Sequence, residues 1–323
     1  MRKKLSENAI LTFGMKMTMK KTGSVVLLAL LSGLSALILV LTVFFMNMNN
    51  STVSDYSEAG NILYYVMAVI HMLLGVFIAP AVAGTAISSE REKQTIDLLL
   101  CSQMMPWDVI KGKYLSSISW ILLITVSLLP SYSVIYMIGG VPAKAIFFTV
   151  LYIMWLTSAV ATFAIFFSSV CKRSAVAVVM TYITLFGIVS VNFSLFAGYY
   201  GILTMAQNAY ALNFGSPTPF DWYNEFISPV AWFNPLIGYI CILVGSTTGV
   251  SEIADILFGV MTSNPGLDTA LIISVNVVFY TLLGYGLLRL AARSIDPLRV
   301  PRSDRKFKKK YGASQTAEKS GSS

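Results

Sequence analysis

Apolar residues in this chain form six long runs that are separated by shorter polar segments. The runs cover residues 24–46, 62–86, 115–138, 145–170, 174–197 and 269–291. At a helical rise of about 1.5 Å per residue, each run is long enough to cross a hydrocarbon core of about 30 Å. The pattern therefore predicts an all-α polytopic membrane protein with six transmembrane helices, and we expect the membrane domain to occupy residues 24–293.

Composition supports this class and excludes a soluble domain. The chain has 323 residues, of which 56% are hydrophobic and only 12% are charged, whereas soluble domains have about 25% charged residues. The first apolar run is longer than the core of a typical signal peptide, and no small-residue cleavage site follows it, so we interpret it as a retained span. The net charge of +8 is spread over loops that flank the spans. This distribution is typical of orientation signals and lipid contacts rather than of nucleic-acid binding.

Basic residues are distributed unequally between the two sides of the predicted spans. Every Lys and Arg except Lys144 lies on the same side as both termini. Because positive charge near span ends is retained in the cytoplasm, we expect cytoplasmic termini and an even number of crossings. We expect the membrane to be a bacterial plasma membrane.

Two terminal segments lie outside the predicted spans. In the segment 1–23, apolar and basic side chains alternate at helical spacing, which favours a short helix lying in the membrane interface; an unstructured basic tail is the alternative. The apolar positions are Ile10, Phe13 and Met17, and the basic ones are Lys16 and Lys20. The tail 294–323 is basic, and we expect it to be largely disordered.

The long segment 198–268 contains no Lys or Arg and is therefore predicted to be external. Its middle part, 228–245, is apolar and aromatic but is interrupted by Pro229 and Pro235. A complete crossing here would move the basic tail to the outside. A re-entrant or interfacial element before the last span keeps the basic tail in the cytoplasm. Such an element is possible because irregular backbone is tolerated where protein or water covers it.

The loop between the second and third spans is predicted to contain a cytoplasmic amphipathic helix over residues 88–100. Ser89 followed by Glu92 has the spacing of a capping box, which begins a helix. The charged or polar face would carry Glu90, Lys93, Gln94 and Asp97, and the other face would carry Ile96, Leu99 and Leu100. Pro106 is typical of the first turn of a following helix. These patterns fit a docking helix and an ordinary surface connection equally well.

The same loop resembles the signature of ABC-2 type transporter permeases. The similar residues are Glu90-Arg91-Glu92-Lys93-Gln94-Thr95, Leu98-Leu99-Leu100, Pro106-Trp107 and Gly112-Lys113. Ser228-Pro229 and Asn234-Pro235-Leu236 are similar to a further stretch of that family. The family usually has Gly where this chain has Gln94. Since Gln forms helices better than Gly by roughly 0.8–1 kcal/mol, we expect a more regular helix here. The departure puts in doubt any role that needs close backbone approach.

The resemblance implies the membrane subunit of an ATP-driven exporter. Such a subunit forms a homodimer or a heterodimer and works with two copies of a separate ATP-binding cassette subunit. The helix 88–100 would be a coupling helix that is seated on that partner and pushes on spans two and three. The implied coupling residues are Glu90, Arg91, Glu92, Lys93, Thr95, Asp97, Leu99, Pro106, Trp107 and Lys113. The sequence has no G-x-x-x-x-G-K-[ST] loop, so we expect ATP and Mg²⁺ to bind to the partner and no cofactor to bind to this chain.

Two other classes of membrane protein agree less well with the sequence. An ion-coupled secondary carrier usually has charged residues at mid-membrane and inverted repeats, and neither is visible in the sequence. A membrane-embedded hydrolase needs a nucleophile with a base, or metal ligands, but the predicted spans contain no Asp or Glu. His71, the one histidine, suits a neutral side chain bonded to a neighbouring helix better than a metal ligand. The pattern does not identify the transported substrate.

Overall fold

The structure is a computed structural model that describes residues 22–48, 53–95, 105–214, 233–245 and 265–295. The regular elements in these ranges are all helices. They are α1 (Thr22–Met48), α2 (Val53–Ala83), α3 (Ser88–Glu92), α4 (Pro106–Ser127), α5 (Leu129–Ile138), α6 (Ala143–Val170), α7 (Ser174–Phe214), α8 (Pro235–Gly245) and α9 (Pro265–Ile295). The prediction of an all-α fold is confirmed.

Five helical segments within the described ranges are long and apolar enough to cross a membrane. They are Gly60–Glu92, Pro106–Ile138, Ala143–Val170, Ser174–Leu195 and Ala270–Ile295. In α1 the stretch Ala29–Phe45 is apolar but shorter, so the count of six spans stays a prediction. Residues 1–21 of the predicted interface helix (1–23) and residues 296–323 of the predicted basic tail (294–323) lie outside the described residues. Residues 22–23 belong to α1, and residues 294–295 belong to α9.

Helix α6 occupies the centre of the bundle. In its most apolar window 61% of the residues are buried, against 11% in the corresponding window of α7. Helix α6 packs against α2, α4, α7, α8 and α9. Because every one of these helices contacts α6, a displacement of α6 is felt by most of the described bundle.

Small residues allow α2 to approach its neighbours closely. A Cβ atom added to Gly75 would lie 2.4 Å from the Cγ2 atom of Thr157 on α6, and one added to Gly60 would lie 2.1 Å from the carbonyl oxygen of Gly139. Gly139 has a φ of +100° and ends α5 in the turn before α6. Glycine is therefore required at these contacts for steric reasons, as is common between membrane helices.

The third predicted span, 115–138, consists of two helices rather than one. Helix α4 begins at Pro106, as the sequence predicted, and ends at Ser127, and α5 begins at Leu129. Pro130 lies in the first turn of α5, where its missing N–H group costs nothing. In a continuous helix that N–H group would be needed, so the helix breaks just before the proline.

The segment between the fifth and sixth predicted spans differs from the expectation in its first part. Helix α7 continues past residue 197, the predicted end of the fifth span, to Phe214. Its candidate membrane-spanning part is Ser174–Leu195, so residues 198–214 continue the same helix beyond that part. Helix α8 has 11 residues, which at about 1.5 Å per residue is roughly half of a bilayer core. It is nevertheless buried: the hydroxyl of Tyr239 donates to the carbonyl of Ala68 at 2.6 Å. This short, packed helix has the length of a re-entrant element, whereas residues 215–232 and 246–264 are outside the described ranges.

The loops that carry the described basic residues meet at one end of the bundle. There the ends of α2, α6 and α9 lie next to the beginnings of α4 and α7, as the contacts described below show. Lys144, at the beginning of α6, lies at the other end. We call the first of these the loop end. The structure thus reproduces the separation of Lys144 from the other basic residues of the described ranges.

Candidate functional site: the loop end of the bundle

The segment 84–95 connects α2 to the loop and is bonded to α6 at its beginning. The backbone N–H groups of Ile87 and Ser88 both donate to the Oγ atom of Ser168 on α6, each at 3.0 Å. The hydroxyl of Ser88 donates back to the carbonyl of Gly84 at 2.9 Å. The free N–H groups at the beginning of α3 are thus satisfied by a side chain of a different helix, α6. The predicted capping box is therefore wrong, since Glu92 does not turn back to Ser89 but reaches α7.

Helix α3 has five residues and ends at Glu92, so the predicted helix does not run unbroken over 88–100; residues 96–100 lie outside the described residues. Gln94 has a φ of +56°, the left-handed conformation that favours glycine. The N–H of Thr95 donates to the carbonyl of Glu90 at 2.9 Å, and that of Gln94 donates to the carbonyl of Arg91 at 3.1 Å. This pair of bonds is a Schellman motif, which ends helices. The expectation that Gln94 makes the helix more regular is also wrong.

Arg91 and Glu92 bind the two helix ends that form the α6–α7 turn. The guanidinium of Arg91 donates from Nη1 to the carbonyl oxygens of Val170 and Cys171, each at 3.3 Å, at the carboxyl end of α6. The carboxylate of Glu92 accepts from the backbone N–H of Ser174 at 2.8 Å and from its Oγ at 3.0 Å, at the amino end of α7. Each charge lies at the helix end whose dipole it complements.

The environment of Glu92 favours its ionised form. The pKa of Glu92 is lowered because the carboxylate accepts hydrogen bonds from the backbone and side chain of Ser174. The positive charges of Arg173 and Lys93 lower it further, although partial desolvation acts in the opposite direction. The carboxylate is therefore charged at neutral pH.

Glu90 forms an ion pair with a lysine of the same chain. Its carboxylate forms a salt bridge with the ammonium group of Lys113 on α4, and both side chains are about three-quarters buried, at 24% and 23% exposure. The pair joins α3 to α4, in the same way that Arg91 and Glu92 join α3 to α6 and α7. The prediction that Glu90 lies on an outward-facing charged surface is thus wrong.

Two further contacts bring α9 to the same end. The hydroxyl of Ser294 on α9 donates to the Oγ atom of Ser169 on α6 at 3.0 Å. The indole of Trp107 on α4 lies edge-on to the ring of Tyr285 on α9, with centroids 5.9 Å apart. The guanidinium of Arg289 lies 4.4 Å from the centre of the same indole.

His71 lies far from this site and is buried between helices. Its Nδ1 atom is 3.1 Å from the hydroxyl of Tyr132 on α5, which agrees with a histidine bonded to a neighbouring helix. In the ranges that the structure describes, no group of three or more His, Cys, Asp or Glu side chains is placed to hold a metal ion.

Comparison with known families decides the class of the protein. A family model described as ABC-2 family transporter protein matches residues 9–293, which include all of the described helices except the last two residues of α9. The chain belongs to the ABC-2 family of transporter proteins. No curated protein matches it. It is therefore a multi-pass membrane permease of an ABC transporter, and the family implies a partner with an ATP-binding cassette.

Eight of the ten predicted coupling residues of this ABC-2 permease lie in the described part of the chain, where they form three sets. Glu90, Arg91, Glu92 and Lys113 lie together and hold the loop to the bundle. Lys93 and Thr95 are exposed beside them. Pro106 and Trp107 begin α4, with Trp107 directed to α9. Asp97 and Leu99 lie outside the described residues.

Sequence reasoning missed the serines that receive the loop of the permease. Ser168 and Ser174 are the partners of residues 87–92 from other helices, and Ser294 and Ser169 join α9 to α6. Serine is common in loops and at helix ends, so its identity alone carries no signal. Only the proximity of Ser168 and Ser174 to the ends of apolar runs could have marked them as candidates.

Proposed function

We propose that this permease is the membrane-spanning subunit of an ATP-driven exporter. In this proposal, residues 87–95 receive the movement of a separate ATP-binding cassette subunit, which is present in two copies. Both termini and the loop end face the cytoplasm of a bacterial cell, as the distribution of basic residues favours. The permease forms a dimer with a second permease chain.

One observation carries this proposal: the two parts of the segment 87–95 have different environments. Residues 87–92 are bonded to α4, α6 and α7 through Lys113, Ser168 and Ser174. The following residues, Lys93, Gln94 and Thr95, are exposed. A partner that grips the exposed residues can therefore move the helices to which the other residues are bonded.

The contacts indicate a route for this movement that differs from the expected one. The resemblance implied a push on spans two and three. The bonds of Arg91 and Glu92 lead instead to the turn between α6 and α7, the fourth and fifth predicted spans. Since α6 packs against most of the described helices, a force on its carboxyl end is transmitted to the centre of the bundle. The link from Glu90 to Lys113 adds a path to α4.

Copurification tests the proposal. The tagged permease is purified from native membranes in mild detergent, and its partners are identified by mass spectrometry. We expect a protein with an ATP-binding cassette to copurify with the wild type and to be reduced severalfold with Lys93→Glu. The matched control is Lys144→Glu, which reverses an exposed lysine at the other end of the bundle and should retain the partner. Failure of the wild type to retain any such protein contradicts the proposal and favours an ion-coupled carrier.

A further inference from the structure

The cluster of Trp107, Lys111, Tyr285 and Arg289 is not used by the coupling proposal. The ammonium group of Lys111 lies 5.1 Å and the guanidinium of Arg289 lies 4.4 Å from the centre of the Trp107 indole. The guanidinium of Arg289 also donates from Nε to the hydroxyl of Tyr285 at 2.8 Å. Two cations are thus held over one aromatic ring where α4 and α9 meet.

Neither cation is neutralised by a carboxylate in the part of the chain that the structure describes. The one ion pair found there joins Lys113 to Glu90. Stacking on an indole attracts a cation, but it leaves the full positive charge in place. Lys111 and Arg289 are both exposed, so an anion can approach them. Two uncompensated charges beside one ring repel each other, and an anion that contacts both would reduce that repulsion.

The surface that leads away from the cluster is apolar on both helices. On α9, Leu282 precedes Arg289 by seven residues, on the same helical face, and is 67% exposed; on α4, Leu115 follows Lys111 by four residues and is 48% exposed. Each stripe therefore begins at a cation of the loop end and runs toward the middle of a membrane-spanning helix. A ligand that matches this surface has a negative head and apolar chains.

We propose that this cluster binds the headgroup phosphate of an anionic phospholipid, in the leaflet at the loop end. Lys111 and Arg289 contact the phosphate oxygens, Trp107 and Tyr285 lie at the level of the headgroup, and the acyl chains lie along Leu115 and Leu282. Basic side chains at the ends of membrane helices favour anionic lipids, and Trp and Tyr prefer this depth. The proposal is independent of the direction of transport and of ATP coupling.

Native mass spectrometry of the purified full-length chain tests this site. The protein in detergent is titrated with an equimolar mixture of phosphatidylglycerol and phosphatidylethanolamine, and the ratio of the two bound lipids is measured. We expect the wild type to prefer phosphatidylglycerol. In the double variant Lys111→Gln with Arg289→Gln, the preference should fall by about fivefold for each charge removed. The control Lys172→Gln with Arg293→Gln removes two exposed basic residues outside the cluster and should keep the preference.

Two results would overturn the proposal. The first is no preference in the wild type, or an equal preference in the double variant and the control; if that double variant also loses the ATP-binding cassette partner in copurification, the cluster is a protein contact. The second is displacement of bound lipid by inorganic phosphate, which would show a site for a soluble anion. If the double variant does not elute as a folded species, Lys111→Gln alone should still lose about fivefold, and Arg289→Lys should keep the preference.

Discussion

The carboxylate of Glu92 accepts two hydrogen bonds from Ser174, one from its backbone N–H at 2.8 Å and one from its Oγ at 3.0 Å. This contact joins the loop after α2 to the beginning of α7. Together with the bonds of Arg91 to the end of α6, it makes the loop and the α6–α7 turn one mechanical unit.

The double charge reversal Arg91→Glu with Glu92→Arg should not restore what the single reversals remove. In an ordinary ion pair, swapping both charges restores the attraction. Here each charge faces a helix end of fixed polarity, so the swap puts a carboxylate against the carbonyls of α6 and a cation at the amino end of α7. We expect all three variants to have lower melting temperatures in detergent than the wild type. Recovery of the wild-type melting temperature in the double variant would contradict the assignment.

The Glu92 contact should persist at neutral pH and weaken in acid. Because the folded-state pKa of Glu92 is lowered, its contribution is complete above the ordinary glutamate value of about 4.3 and is lost as pH falls through the folded-state pKa. Melting temperatures of the wild type and Glu92→Gln, measured between pH 7 and pH 3, should therefore differ most at pH 7 and converge at the acidic end. If the difference in melting temperature grew as pH fell, the pKa of Glu92 would be raised rather than lowered by folding, which would contradict this prediction.

Replacing Gln94 by glycine should stabilise the loop. The left-handed conformation at this position costs a non-glycine residue about 1 kcal/mol, and glycine adopts it freely. We expect Gln94→Gly to slow proteolysis within the loop at unchanged expression. Lys93→Gly is the matched control, because Lys93 has a φ of −82° and glycine gains nothing there. Equal protection by both substitutions would show that the conformation of Gln94 is not the cause.

The Glu90–Lys113 bridge can be separated from partner binding by a charge swap. Glu90→Lys alone should destabilise the permease by about 1 kcal/mol or less, as expected for a partly exposed pair. Glu90→Lys with Lys113→Glu should recover the stability and the copurification of the ATP-binding cassette partner. Recovered stability without the partner would instead show that Glu90 itself contacts that subunit.

Gly75 should tolerate no side chain while Thr157 is present. In Gly75→Ala the new Cβ would lie 2.4 Å from the Cγ2 atom of Thr157, which we expect to cost about 1–3 kcal/mol. Gly33→Ala is the control, since nothing lies within 4 Å of its added Cβ. Thr157→Ser removes the clashing methyl group and should rescue Gly75→Ala in thermal unfolding. A loss of stability that Thr157→Ser leaves unchanged would locate the strain elsewhere.

The fold was predictable where the signal lies in long runs of apolar residues. The hydrophobic pattern of such a run outweighs the conformational preference of any single residue, so the helical class and most helix positions agree with the sequence. Pro106 also marked the beginning of α4 correctly. The site was less predictable because its contacts are distant in sequence. Glu92 has the spacing of a cap for α3, yet the backbone N–H and the hydroxyl that donate to it both belong to Ser174 on another helix. A rule that considers only neighbouring residues in the sequence cannot identify that partner.

Gln94 shows the same limit for backbone conformation. Its helix propensity favoured continuation of α3, by less than about 1 kcal/mol. The hydrogen bonds of the loop to α4, α6 and α7 outweigh a preference of that size, and the chain turns at this residue instead. The glycine typical of the family at this position was the better guide to the backbone than the residue that is present.

Site-specific photocrosslinking from Lys93 tests the central claim most directly. A photoreactive amino acid is introduced at position 93 in the full-length permease and, as the matched control, at position 144, and the cells are irradiated before purification. We predict a covalent adduct between position 93 and a protein with an ATP-binding cassette, and none at position 144. Absence of that adduct from position 93 in irradiated cells that contain the assembled transporter would contradict the role of this loop as the coupling element.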